Sequence, residues 1–161
     1  RDRDWQSSTD SRAAKGTRDA MVEVMRFWLR KGCDGFRVEM ANSLVKNDGD
    51  DKPETIRAWQ KMLGTVKAEF PDSAFASEWG TPEQALAAGF DMDFYLDWRW
   101  NGVPNGYNLL ARNVDGPLNV AEDRSYFSAH GGSSIRPFLD QYLPQYEKTH
   151  EQGSFCFILQ P

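Results

Sequence analysis

Cys33-Asp34-Gly35-Phe36-Arg37-Val38-Glu39-Met40 reads as a short strand, and what surrounds it decides the fold. Upstream, residues 10–31 read as a helix, with Met21, Val24, Met25 and Trp28 at i, i+3, i+4 and i+7 forming one apolar face. Ser8, Thr9 or Asp10 can cap its start, and Gly32 stands where a left-handed C-terminal cap is wanted. Downstream, Pro53 opens a second helix whose apolar stripe is Ile56, Trp59, Leu63, Val66 and Phe70, and Pro71 blocks its continuation. The pattern then repeats. Residues 73–79 read as a strand, and Thr81-Pro82-Glu83-Gln84 offers a cap, a first-turn proline and a capping-box partner for a short helix ending at Gly89. Residues 90–96 form a third strand. Residues 97–132 are polar and glycine-rich, too long for a plain connection, and read as a functional insertion beside a binding face. Ser134 opens a last helix through Leu139 and Tyr142, with a break near Pro144, and residues 155–159 form a final strand.

Helix and strand alternate four times, which predicts parallel strands joined by crossover helices. An open doubly wound sheet and a segment of a closed barrel both fit. Four strands cannot close a barrel, and a full eightfold one takes about 250 residues.

The 161 residues carry 19 Lys+Arg against 24 Asp+Glu, a net charge of -5, which argues against a nucleic-acid partner. Ten Phe, six Trp and five Tyr are too many aromatics for a disordered segment. No apolar run approaches the roughly 20 residues of a membrane span, so no membrane partner is expected. The opening Arg1-Asp2-Arg3-Asp4-Trp5 has no leader character, and both ends suggest an excerpt of a longer protein. Cys33 and Cys156 are too few for a disulfide framework and are expected as buried free thiols.

Side chains alternate along a strand, so Arg37 and Glu39 share one face and Phe36 and Val38 the other. In the next strand Ala74, Ala76 and Glu78 share a face, again with the acid at the C-terminal end. In parallel barrels that end carries the active site. Two carboxylates reaching one rim suit retaining glycoside hydrolysis, which needs a nucleophile and an acid about 5–5.5 Å apart with separated pKa values. Arg37 beside Glu39 would favour its ionised form, while Ala74, Ala76 and Trp79 give Glu78 a more apolar setting. The split follows: Glu39 nucleophile, Glu78 general acid/base. The same residues equally fit a structural ion pair and a solvated loop acid.

Gly35-Phe36-Arg37-Val38-Glu39-Met40-Ala41 resembles the fourth-strand motif of the α-amylase family of glycoside hydrolases, and Ala76-Ser77-Glu78-Trp79 resembles its fifth-strand motif. Residues 43–48 and 89–95 are also similar to bacterial members. The resemblance implies that residues 1–161 are the central part of a (β/α)8 barrel, about strands four to seven with their helices. It implies retaining cleavage or transfer of α-glucosidic bonds in starch-like glucans or oligosaccharides. Arg37 matches the family's arginine beside the nucleophile and Glu78 its general acid/base. Glu39 stands at the nucleophile position, where the family carries Asp; a catalytically impaired relative that binds carbohydrate or a protein is the alternative. The family's third carboxylate would follow the seventh strand, so the excerpt alone is not expected to turn over substrate.

Trp79, Tyr95, Trp98 and Trp100 could offer stacking faces to sugar rings, and of these Trp79 and Trp98 are the candidates for substrate binding. Asn47-Asp48-Gly49-Asp50-Asp51 lacks EF-hand spacing and reads as a solvated acidic turn. No zinc-type Cys/His cluster occurs, and His130-Gly131-Gly132 lacks the G-x-S-x-G partner of an esterase. No cofactor is expected in this segment, although the resemblance allows calcium in a longer protein.

Overall fold

The computed structural model describes residues 8–94, 126, 127, 129 and 134–156, the last three as backbone only. The chain runs α1 (Arg12–Arg30), β1 (Gly35–Val38), a 3-10 turn (Ala41–Ser43), α2 (Pro53–Glu69), β2 (Ala74–Ser77), α3 (Pro82–Ala87), β3 (Met92–Phe94), α4 (Arg136–Thr149) and β4 (Ser154–Cys156). The four strands pair in parallel in the order β1-β2-β3-β4, as the alternation predicted. Right-handed crossovers, the rule for parallel strands that are neighbours in both sequence and space, put the helices that join them on one face of the sheet, and among the described residues α1, α2 and α3 share one core cluster with Phe36 and Phe75. A doubly wound sheet, by contrast, reverses its strand order at a switch point.

That covered face is the core. Phe75 of β2 is fully buried, and Phe36 and Val38 of β1 pack against the same cluster as Trp59, Met62, Leu63 and Val66 of α2. The Phe36 and Phe75 rings stack with centroids 5.8 Å apart, one step across the Phe36–Phe75 register pair. Gly35 is required where it stands. A Cβ there would lie 1.8 Å from the carbonyl oxygen of Ala74, its register partner.

The helix ends depart from expectation in instructive ways. Ser11, not Ser8, Thr9 or Asp10, caps α1, its hydroxyl accepting from the Ala14 N–H at 3.1 Å. Gly32 does adopt the left-handed cap, with φ 98°. The buried stripe of α1 is Val22, Met25 and Leu29, while Met21, Val24 and Trp28 are about half exposed. The helix carries apolar residues around most of its girth, and contact with α2 selects the stripe. α2 keeps Trp59, Leu63 and Val66 buried, with Ile56 and Phe70 partly so. Thr81 makes no capping bond to α3; Gln84 instead accepts from the Trp79 indole at 3.0 Å and donates to the Asp50 carbonyl at 2.9 Å. α4 continues through Pro144 as one helix.

β1 and β3 are shorter than their sequence patterns suggest. Met40 takes a left-handed backbone (φ 50°) and turns the chain out of β1. Cys33 lies before the strand and is exposed, contrary to the expected buried thiol. Residues 95–133, apart from 126, 127 and 129, fall outside the described residues, and with them the expected insertion, Tyr95, Trp98 and Trp100. The side chain of Cys156 does so too.

Candidate active site

The C-terminal ends of β1 and β2 bring three predicted residues together. The Glu78 N–H donates to the Val38 carbonyl at 2.8 Å, carrying the ladder one residue past β2. Glu39 and Glu78 thus leave adjacent strands one step beyond the Val38–Ser77 pair. Arg37, level with Ala76, extends between them on the face away from the helices. Its Nη2 donates to Glu78 Oε2, and its Nη1 lies 3.7 Å from Glu39 Oε2. Its guanidinium also sits over the Phe94 ring of β3, 5.6 Å from the centroid. One arginine therefore ties three neighbouring strand ends.

The division of partners differs from the sequence reading. Arg37 was expected to serve Glu39; its hydrogen bond goes to Glu78. The Glu39 side chain is 75 % exposed against 13 % for Glu78. Exposed ion pairs contribute about 0–1 kcal/mol, so the Arg37–Glu39 contact orients groups more than it stabilises the fold.

Trp79 is a core residue and not the sugar-stacking platform expected from the sequence. It is 2 % exposed, belongs to the core cluster, and meets Phe90 edge-on with centroids 6.3 Å apart. Alternation puts Phe75, Ser77 and Trp79 on the helix-covered side and Glu78 on the other, so the indole offers no face to a sugar.

The loops behind both acids are pinned. The Trp59 indole donates to the Ala41 carbonyl at 2.9 Å, holding the turn after Glu39. Asn42 Nδ2 donates to the Trp79 carbonyl at 3.2 Å, joining that turn to the one after Glu78.

Asp93 was not singled out from sequence. Fully buried on β3 opposite Ser77, it accepts from the Ser77 hydroxyl at 2.7 Å and from the N–H groups of Trp79 and Gly80 at 3.0 and 3.1 Å. Burial pushes its carboxyl up to about 6, against the opposing pull of these bonds and of the Phe94 N–H. The available signal was an acid in mid-strand at a position whose alternation faces the helices.

The acidic stretch 47–51 does not assemble a calcium site. Asp48 instead accepts from the N–H groups of Glu54 and Thr55 at 2.9 and 2.7 Å, capping α2. Burial would raise the Asp48 carboxyl, but these bonds, the Thr55 hydroxyl and nearby Lys52 outweigh it and hold it below the usual range. Among the described residues no group of three or more His, Cys, Asp or Glu is placed to hold a metal ion. A groove of about 600 Å³ between α1 and α2, lined by charged residues such as Lys15, Arg18 and Glu23, lies on the helices and includes none of the three predicted residues.

No protein-family model matches the chain. Among curated proteins it is 35% identical over 69 residues to a trehalose synthase of Pimelobacter sp., covering 39% of this chain and 12% of that protein. It is 33% identical over 87 residues to an α-1,4-glucan:maltose-1-phosphate maltosyltransferase of Rhodospirillum rubrum, covering 50% and 11%. It is 24% identical over 92 residues to α-amylase 3 of Dictyoglomus thermophilum, covering 57% and 16%. The chain spans 10–16% of the length of the curated relatives it matches. A solved structure, Eubacterium rectale Amy13B, shares 26% identity over 56% of this chain and 17% of its own, with a TM-score of 0.46. The relatives are members of the α-amylase family, and the resemblance drawn from the two strand-end motifs is borne out.

Proposed function

We propose that residues 1–161 are the central part of the catalytic domain of an α-amylase-family enzyme, contributing strands four to seven of a (β/α)8 barrel. The enzyme acts on α-glucosidic bonds of starch-like glucans or oligosaccharides. The relatives' names, which include an amylase and an α-1,4-glucan maltosyltransferase, support that substrate class. The helices on a single face of a sequentially ordered parallel sheet support the barrel.

The observation that carries the reading is Arg37 reaching both Glu39 and Glu78 at adjacent strand ends. In a retaining double displacement Glu39 attacks the anomeric carbon while Glu78 protonates the leaving oxygen. Glu78 then deprotonates the water that releases the glycosyl group. Because Arg37 holds Glu78 in this structure, Glu78 must leave that ion pair and take up a proton from solvent before it can protonate the leaving oxygen. Carrying two of the three expected carboxylates, the isolated chain is inactive on this reading.

In the full-length protein, Glu78→Gln is expected to abolish hydrolysis of an unactivated α-glucoside; unchanged turnover refutes the assignment. The second reading, a non-catalytic carbohydrate binder, draws on Glu39 standing where the family carries Asp. A longer side chain that displaces the attacking oxygen by about 1 Å can cost on the order of a hundredfold in rate. Activity that emerges only with Glu39→Asp favours the binder, and comparable activity in both forms favours the enzyme.

A further inference from the structure

We infer that Asp93 is a positioning residue that sets the direction in which Glu78 leaves its strand. The inference rests on the reading of Glu78 as the acid/base, but its geometry stands apart from it. β2 ends at Ser77, so the N–H groups of Trp79 and Gly80 have no ladder partner of their own. Buried backbone donors must find acceptors, and a buried carboxylate must find donors. Asp93 meets both needs at once. Its Oδ1 accepts from the Ser77 hydroxyl and the Trp79 N–H, and Gly80 N–H lies 3.1 Å from Oδ2 and 3.4 Å from Oδ1.

These bonds bracket Glu78 on both sides in sequence. The carbonyl of Trp79 is held separately by Asn42. The backbone leaving Glu78 is thus gripped at the N–H and the C=O of the next residue, by side chains from β3 and from the turn after β1. Gly80, with φ 82°, lets the chain bend back over the carboxylate. Asp93 lies on the helix side and Glu78 on the opposite side, so Asp93 acts on Glu78 only through the main chain.

The test uses the full-length protein with an aryl α-glucoside, comparing wild type, Asp93→Ala and Asp93→Asn. Asp93→Ala is expected to lower kcat at least about tenfold with KM within about twofold, because a mis-aimed acid impairs transfer more than binding. Asp93→Asn is expected to recover part of the loss, since its amide oxygen can still accept from the Trp79 N–H. Wild-type kcat in folded Asp93→Ala, or a matching rise in KM without rescue by Asn, overturns the inference. Should neither Asp93 variant fold, Ser77→Ala removes one donor and keeps the acid; a fall of kcat alone supports the inference and unchanged kcat overturns it. Should wild type show no turnover, the glycosidase reading fails, and the carboxyl ¹³C resonance of Glu78, assigned with Glu78→Gln, decides. A displaced resonance in Asp93→Ala or Ser77→Ala supports the inference, and an unmoved one overturns it.

Discussion

Replacing Gly35 by alanine sets one methyl group against the tightest strand contact described above. The new Cβ would sit 1.8 Å from the Ala74 carbonyl oxygen and 2.8 Å from its carbon, where real Cβ contacts do not fall below 3.0 Å. Both clashing atoms are backbone, so no rotamer change relieves them. β1 and β2 must part by more than an ångström at this pair, against a normal strand spacing of about 4.8 Å. Overpacking typically costs about 1–3 kcal/mol, and a weakened neighbouring bond such as Ala74 N–H to the Asp34 carbonyl (2.9 Å) adds about 1 kcal/mol. A total of about 2–4 kcal/mol lowers Tm by roughly 4–16 °C in a domain of 150–250 residues. Because Arg37 lies two residues on, activity should fall with it. Calorimetry and turnover on the full-length Gly35→Ala protein are the assays. Adding Ala74→Gly should restore nothing, since the clash is with the main chain. A Tm within about 2 °C of wild type, or rescue by Ala74→Gly, refutes the reasoning.

Asp48→Ala removes both capping bonds at the start of α2 and is expected to cost about 1–2 kcal/mol, read as a lower urea midpoint at unchanged slope. Asp93 titrates near 6 when folded against 3.8 in the free side chain, so its native form holds the proton more tightly. Its contribution, at most about 3 kcal/mol, is fully present below about pH 3.8 and lost as pH rises through about 6. The stability difference between wild type and Asp93→Asn should therefore shift in favour of wild type on acidification across this window; a flat difference contradicts the burial argument. The 161-residue chain alone should self-associate through the exposed Met21, Val24, Phe27 and Trp28 of α1, and Phe27→Gln with Trp28→Gln should raise its monomer fraction in sedimentation.

The alternation of helices and parallel strands was legible because α2 has a clean apolar stripe and because Gly32, Pro53 and Pro71 punctuate the chain. The stripe of α1 was not. Met21, Val22, Val24, Met25, Phe27, Trp28 and Leu29 surround the helix, and periodicity alone cannot choose among them. That Arg37, Glu39 and Glu78 come together was legible from alternation together with the ends of their strands. The same alternation places Trp79 opposite Glu78, and an aromatic beside an acid suggested a sugar platform where the fold needed core. Asp93 escaped notice because its partners are main-chain N–H groups and the Ser77 hydroxyl of the neighbouring strand, a combination that no sequence motif records. Cys33 was assigned to a strand that begins only at Gly35.

Between β1 and α2 the main chain passes three times through left-handed geometry on residues other than glycine: Met40, Asn47 and Lys52, with φ of 50°, 57° and 53°. Asparagine tolerates this, whereas methionine and lysine each give up about 1–2 kcal/mol. Glycine at position 52 would recover that strain less its own backbone-entropy penalty of about 0.5–1 kcal/mol. Position 52 is therefore headroom for hardening the protein, at the cost of the Lys52 charge that helps hold Asp48 ionised. Met40 is not such headroom: it adjoins Glu39, and relaxing it would trade robustness against the direction in which that carboxylate leaves β1.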